Sequence, residues 1–180
     1  MNYTYPITIH HLYSSPGHNY FTHSLEAPGH HPTVDSETIV IHAGQGIVGD
    51  RFYGKGATFD GHVTFFAWEI YQLLQQEFGL ASPAALRRNV IIEGVPLNQL
   101  IGQPFIINGV EFYGTKHCAP CRWMDVAVAA GGLPFLKGRG GLRAQVLTSG
   151  ELRRGPAQLT TTVALDCSQI TARLMRPKLP

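Results

Sequence analysis

Residues 116–122, KHCAPCR, carry the side chains best suited to chemistry. Cys118 and Cys121 stand three positions apart, with a histidine beside the first and a cation at each end. Such a segment can supply half of a zinc site, a redox dithiol, or a single reactive thiolate beside positive charge. The rest of the chain has to distinguish these three kinds of site.

A zinc site or a redox dithiol lacks support elsewhere in the sequence. Cys167 is the one remaining cysteine, so histidines such as His42 and His117 would have to complete a zinc site, and they stand at no recognisable spacing. A thioredoxin-like dithiol needs a βαβ frame, which the pattern of the chain does not indicate. A single functional thiolate at Cys121 is therefore favoured, and a cysteine acting as a small buried hydrophobe is the alternative, above all for Cys118.

The residues around Cys121 suit an ionised thiol. Cys121 follows Pro120, and we expect a helix to begin there. The apolar face of this helix would consist of Trp123, Val126 and Ala127. The unpaired amides of a helix start, assisted by Lys116 and Arg122, would favour the thiolate. A soft thiolate is a natural ligand for a soft or high-valent metal centre.

Composition and charge narrow the class of protein. Hydrophobic residues make up 44% and charged residues 14% of the chain, which suits a packed core rather than a disordered polymer. The length of 180 residues suits a single domain, 1–180. A net charge of +2 argues against nucleic acid or an anionic membrane as the partner. The odd cysteine count, with no apolar run of about 20 residues to span a bilayer, predicts a soluble cytoplasmic protein.

Short β-branched runs bounded by glycine or proline dominate the chain. They predict strands at residues 7–13, 38–42, 62–67, 90–93, 105–112, 142–148 and 159–165. Asn108-Gly109 predicts a type I′ hairpin turn within 105–112. An apolar stripe predicts a helix in WEIYQLLQQEF, and Ser82-Pro83 predicts the start of a shorter one. Together these elements predict a mainly β fold, an antiparallel barrel with a few helical insertions.

Two further segments invite stronger interpretations than they support. Residues 14–36 are rich in His, Pro and Gly and predict a long loop, whose histidines are better explained as solvated than as metal ligands. Residues 44–49, GQGIVG, match a dinucleotide-binding fingerprint, but Gly54 and Gly56 interrupt the helix that such a site requires. A loop whose backbone approaches a ligand, or a plain glycine-rich turn, explains them better.

Three segments in this order resemble one family. They are GQGIVGDRFYG at 44–54, RRNVIIEGVPLNQLIGQPFIINGVEFYG at 87–114, and HCAPCRWMD at 117–125, and the closing GGLRAQVLTSGELRRGP agrees with them. Together they resemble the MOSC domain, named for the C-terminal portion of molybdenum-cofactor sulfurase, in its small stand-alone form. The resemblance covers roughly residues 38–156 and implies a MOSC-type β-barrel with its core at about 38–165. Cys118 and the closing Arg154-Gly155-Pro156 depart from the family pattern.

The resemblance implies that the barrel binds molybdenum cofactor, with the phosphate held by basic side chains and backbone amides; it gives no reason to expect pyridoxal phosphate. Cys121 maps to the functional cysteine, so it is the implied metal ligand and catalytic residue. The matched motifs and their flanking cations place these residues around the cofactor: Gly49, Asp50, Arg51, Arg87, Arg88, Asn89, Lys116 and Arg122.

Two functions are compatible with this assignment. The first is a reductase that removes oxygen from a small N-hydroxylated substrate, such as a hydroxylaminopurine or an amidoxime, at a molybdenum centre held by Cys121. The sequence has no flavin, haem or iron–sulfur signature, so a separate reductase would deliver the electrons. The second is a carrier that holds sulfur as a Cys121 persulfide, or ferries the cofactor, without turnover of its own. A metal-free binding module is a third possibility.

Overall fold

The computed structural model describes residues 1–19 and 29–175. Within these ranges the chain forms eleven strands: β1 (Tyr3–Ser14), β2 (Val34–Asp35), β3 (Thr38–His42), β4 (Gly46–Ile47), β5 (Val63–Ala67), β6 (Val90–Glu93), β7 (Pro104–Ile107), β8 (Val110–His117), β9 (Leu142–Val146), β10 (Gly150–Arg153) and β11 (Gly155–Thr161). The helices of the same ranges are α1 (Trp68–Phe78), α2 (Met124–Ala127) and α3 (Gly132–Leu136), with 3₁₀ turns at Pro83–Leu86, Leu97–Leu100 and Cys167–Gln169.

Seven strands close into a barrel. Their order is β11-β7-β8-β9-β5-β6-β1, and antiparallel pairing of β1 with β11 closes the ring, from Tyr3 opposite Thr161 to Ile9 opposite Gly155. Strand β2 pairs with the end of β1, and β10-β3-β4 form a separate three-stranded sheet. Closure leaves no free sheet edge in the barrel. The predicted mainly β barrel with few helices is therefore confirmed.

Strands β5 and β6 form a parallel pair within the otherwise antiparallel barrel. A parallel pair needs a crossover connection, and α1 with the following turn supplies it. Helix α1 has the predicted bounds and buries Ile70, Tyr71 and Leu74. Of the predicted apolar stripe of Trp68, Tyr71, Leu74 and Phe78, the middle two are buried and the outer two are half-buried. Its end is set by Gly79, which adopts a left-handed conformation with φ 67°.

Aromatic side chains fill the barrel interior. The ring of Phe65 packs edge-on against Phe105 at 5.5 Å and against Phe112 at 5.3 Å, and all three side chains are almost fully buried. They come from β5, β7 and β8, whose inward positions meet at this level of the barrel. Edge-to-face packing of this kind adds roughly 0.5–1.5 kcal/mol per pair to the stabilisation from burial alone.

The turn predictions hold, and some boundaries move. Asn108 and Gly109 have φ of 51° and 79°, which confirms the type I′ turn. Ser82 accepts a hydrogen bond from the amide of Ala84, but the helix that it caps is a single 3₁₀ turn. The last barrel strand begins at Gly155 and ends at Thr161, earlier than the predicted 159–165, because its register is set by pairing with β1.

The predicted loop at 14–36 is framed by pairing at both ends. Tyr13 and Ser14 pair with Asp35 and Val34, so the segment is the connection of a hairpin. Residues 20–28 of this segment lie outside the described part of the chain.

Among the described residues, no helix combines the length and apolar character that crossing a bilayer requires.

Candidate functional site

A buried polar cluster anchors the loops around the candidate site. Asp50 accepts hydrogen bonds from the amides of Ser15 at 3.1 Å and Phe52 at 3.0 Å, and from the Asn89 side chain at 3.3 Å. Asn89 in turn accepts from the amide of Thr64 at 3.0 Å and from its hydroxyl at 2.8 Å. Both predicted site residues are thus occupied in joining the loops at 15–19 and 50–52 to the barrel.

Four arginines line a cavity of about 250 Å³, here called the arginine cavity, which shares Thr64 with the polar cluster. Its cationic walls are Arg51, Arg87, Arg88 and Arg143, and the rest of its lining comes from His18, Phe52, Phe59, Gly61, Thr64 and Cys118. No carboxylate belongs to the lining that the structure describes. Asp50 forms an ion pair with Arg51 at 3.4 Å, which offsets only part of the charge of the four arginines, so the cavity is suited to an anion, above all a phosphate.

Arg143 is the member of this group that the predicted site omitted. It lies on β9, inside the closing segment GGLRAQVLTSGELRRGP that agrees with the family. Arg87, by contrast, was predicted, and it occupies a left-handed conformation with φ 57° where a 3₁₀ turn ends. Such a conformation is costly for a residue with a side chain, and strain of this kind tends to occur at functional sites.

His18 reports the positive potential of the arginine cavity. Burial lowers the pKa of His18, and the positive charges of Arg51, Arg87 and Lys55 lower it further. The ring packs edge-on against Phe52 at 5.2 Å. His18 is therefore a neutral imidazole near pH 7, and the predicted solvated histidine instead contributes to the wall of a cavity.

The guanidinium of Arg88 is directed at backbone carbonyls. Its Nε donates to Gly140 at 2.9 Å, one Nη to Leu86 at 2.8 Å, and the other to Cys118 at 3.5 Å. Gly140 lies so close that an added Cβ would stand 2.1 Å from the Cys118 carbonyl oxygen. Arg88 thus fastens the cysteine segment to the loop before β9, although it also lines the arginine cavity.

A second cavity of about 340 Å³, here called the thiol compartment, adjoins the first. Arg88, Cys118 and Arg143 line both, and Cys121 lines the thiol compartment alone. All three cysteines lie in the described part of the chain and none forms a disulfide. The Cys118 side chain is buried, whereas Cys121 is half-buried and faces the compartment. The two thiols therefore differ in access, as a single functional thiol at Cys121 requires.

The helix predicted to begin at Cys121 begins later. Helix α2 starts at Met124 and is four residues long, so Cys121 lies in the preceding turn, where its carbonyl accepts from the Met124 amide at 2.9 Å. Val126 is exposed while Trp123 is buried, so the predicted shared face does not form. A helix this short contributes little dipole.

Besides Asp50 and Asn89, three more predicted site residues do not line these cavities. Lys116 is exposed on β8 and pairs with Asp60, whose pKa this hydrogen bond and charge hold below its ordinary value. Arg122 is exposed and lines neither the arginine cavity nor the thiol compartment. Gly49 is an exposed turn glycine with φ 81° and open space around it, so its part is to shape the loop before Asp50.

No group of three or more potential metal-ligating His, Cys, Asp or Glu side chains occurs within 1–19 and 29–175. A metal held by protein side chains alone is therefore not supported by the described residues. A metal that arrives inside an organic cofactor needs only one protein ligand, and the geometry of Cys121 is compatible with that case.

Comparison with known proteins shows the family of this chain and proteins that share its fold. The profile of the MOSC domain matches residues 38–157, and the chain therefore belongs to the MOSC domain family. The YuaD protein from Bacillus subtilis is 19% identical and superposes with a TM-score of 0.69 over 91% of this chain and 100% of its own. YiiM from Escherichia coli is 15% identical, with a TM-score of 0.62 over 94% and 76%. At these identities the similarity shows a shared fold. No curated protein sequence matches significantly.

Proposed function

We propose that this protein is a molybdenum-cofactor reductase of small N-hydroxylated compounds. The observation that carries the proposal is the shared wall of the two cavities: a cationic space suited to a phosphate opens beside a compartment lined by the Cys121 thiol. Membership of the MOSC family makes molybdenum cofactor the natural occupant, because that family is associated with it. When bound, the cofactor supplies the two-electron chemistry that removes oxygen from an N–O bond.

The residues present fit such a group in charge and donor type. Arg51, Arg87 and Arg143 present cations to the arginine cavity and would hold the phosphate. Cys121 would give the soft ligand for the metal. Arg88 would hold the cysteine segment in place through its carbonyl contacts, and the buried Asp50 would hold the loop that carries Arg51. In this proposal Arg51, Arg87 and Cys121 contact the cofactor, whereas Asp50 and Arg88 position the segments that carry them.

Electrons and substrate come from outside the chain in this proposal. Cys121 is half-buried and lines the thiol compartment, so a small molecule in that compartment would lie beside its thiol. A separate reductase is the proposed electron donor, since the sequence carries no motif for a second redox group. Both partners fit a cytoplasmic setting, which we retain as part of the proposal.

The test begins with protein purified from a host that makes the cofactor. Bound molybdenum and pterin are measured, and reduction of N-hydroxylaminopurine is followed with an artificial electron donor. We expect Cys121→Ser to abolish molybdenum retention or turnover, because an alcohol is a poor replacement for a soft anionic ligand. Cys118→Ser is the matched control, and we expect a smaller effect because that side chain is buried beside the compartment. Equal losses in both variants would contradict the single-thiolate site and favour a dithiol.

The carrier function remains the second candidate because both thiols line one compartment. A persulfide on Cys121 would have Cys118 beside it in the same cavity, where attack on the Cys121 sulfur would form a disulfide and release the outer sulfur as sulfide. Labile sulfur on Cys121 in purified protein that lacks molybdenum would favour the carrier over the reductase.

A further inference from the structure

A third cavity, here called the C-terminal cavity, adjoins the thiol compartment and has no part in the proposed function so far. Its volume is about 540 Å³, larger than either of the other two. Ala119 and Pro120 line both the C-terminal cavity and the thiol compartment, so the segment that leads to Cys121 borders both spaces. Small-molecule sites typically have volumes of roughly 300–1,000 Å³.

The walls of the C-terminal cavity are held in place by hydrogen bonds. Arg173 donates to the carbonyls of Pro134 at 3.0 Å and Lys137 at 2.8 Å. The amide of Leu174 donates to the carbonyl of Gly138 at 2.8 Å. These contacts fasten the segment at 171–175 to the end of α3. The cavity is therefore formed before any ligand arrives, which reduces the entropy lost on binding.

The lining of the C-terminal cavity combines an apolar surface with three nitrogen-bearing side chains. Leu133, Leu174 and Met175 provide aliphatic surface beside Ala119 and Pro120. The polar side chains of the lining belong to three residues, His117, Lys137 and Arg173. A mostly apolar cavity with a few convergent polar groups is the usual form of a ligand site.

The polar groups of this lining are hydrogen-bond donors. Because the amide of Gly140 donates to Nε2 of His117 at 3.0 Å, the ring hydrogen of a neutral His117 lies on Nδ1. Lys137 and Arg173 are cations, and no carboxylate belongs to the lining within the described residues. Burial, and then the charge of Arg173, lower the pKa of the neighbouring Arg139. A ligand that matches this surface is an anion.

We propose that the C-terminal cavity binds a small molecule with an apolar or aromatic body and a carboxylate or phosphate group. The anionic group is held at Lys137 and Arg173, and the body lies along Leu133 and Pro120 toward the thiol compartment. In combination with the proposed function, on which this step rests, the C-terminal cavity selects N-hydroxylated substrates that carry an anionic group. A neutral substrate of the same size lacks the partner that these cations provide.

The test uses a matched pair of probes, benzamidoxime and 4-carboxybenzamidoxime, which differ by one carboxylate. Each is titrated into the full-length protein, with and without bound cofactor, and the dissociation constant is measured by calorimetry. We expect the carboxylate probe to bind about tenfold more tightly, the value of one charge-assisted hydrogen bond that is partly screened by solvent. Lys137→Gln should remove most of that preference, and Leu133→Asp should weaken both probes. The control is Arg153→Gln, which removes one exposed positive charge from β10, in the separate three-stranded sheet.

Equal affinity for the two probes, no binding of either, or an equal loss of preference in Lys137→Gln and Arg153→Gln overturns the proposal. Binding to cofactor-free protein separates this inference from the proposed function. A carboxylate preference that persists without molybdenum or turnover means that only the reductase assignment has failed. Turnover of both amidoximes with the same KM means that the reductase stands and the anion site does not.

Discussion

Replacing Arg88 with lysine isolates the geometry of one buried guanidinium. The variant keeps the positive charge beside the arginine cavity, but an ammonium cannot reproduce a planar group that donates to Gly140, Leu86 and Cys118 at once. Two of these contacts are short, at 2.9 and 2.8 Å, and one is long, at 3.5 Å. The substitution therefore separates the charge of Arg88 from its role in fastening the cysteine segment.

The expected loss follows from those contacts. A hydrogen bond from a charged donor contributes about 1.5–3 kcal/mol, and a lysine retains at most one of the two short ones. We therefore expect the free energy of unfolding to fall by about 2–3 kcal/mol, including a small loss from the long contact. At about 2–4 °C per kcal/mol for a chain of this size, the midpoint of thermal unfolding should fall by about 4–12 °C.

The assay pairs thermal unfolding with alkylation of Cys121, in a Cys167→Ser background that removes the exposed thiol. Release of the cysteine segment should change the rate of iodoacetamide modification at Cys121 several-fold, as located by peptide mass spectrometry. The control is Arg143→Lys, because Arg143 lines the same two cavities while its guanidinium makes no such carbonyl contacts among the described residues. A melting midpoint within about 1 °C of the wild type, together with unchanged alkylation of Cys121, would refute the fastening role of Arg88.

Two further results are expected from the same region. Gly140→Ala should unfold at a markedly lower temperature than the wild type, because the added Cβ would stand 2.1 Å from the Cys118 carbonyl oxygen. Gly61→Ala is the control and should unfold near the wild-type temperature, since the nearest atom to its added Cβ is 3.6 Å away. Similar unfolding midpoints for the two variants would contradict the close packing of Gly140 against Cys118. The pKa of His18, followed by NMR, should lie below the ordinary value of a histidine and should rise when inorganic phosphate fills the arginine cavity, because an anion offsets the positive charge of Arg51. A pKa of His18 that ignores saturating phosphate would mean that no anion binds in that cavity.

Local pattern was enough to predict much of the fold. The stripe in residues 68–78 specifies α1 because its apolar side chains recur at helical spacing, whatever they pack against. Asn108-Gly109 specifies a hairpin because both residues tolerate positive φ. Gly54 and Gly56 were predicted to interrupt a helix after Gly49, and the described chain forms no helix between β4 and β5. The order of the matched segments was also sufficient to identify the MOSC family.

Side-chain partners could not be predicted in the same way. Arg88 and Arg143 are 55 positions apart in the sequence, yet they line the same two cavities. The barrel brings them together because β5 lies between β9, which carries Arg143, and β6, which follows Arg88. Lys116 is near Cys118 in sequence, yet its ammonium faces Asp60. The helix expected at Cys121 begins at Met124. Distant residues hold Cys118 just before it: its amide donates to the carbonyl of Gly141 at 2.8 Å, and its carbonyl accepts from Arg88 at 3.5 Å.

The sequence by itself determined which segments are strands, turns and helices, and which residue types are available for an anion and a soft metal, because these depend on neighbours along the chain. The tertiary structure decided which arginines face a cavity and which are consumed by backbone carbonyls. It also decided that the Cys121 thiol is accessible while that of Cys118 is buried. Those outcomes depend on barrel closure and strand register, which bring residues together that no local pattern relates.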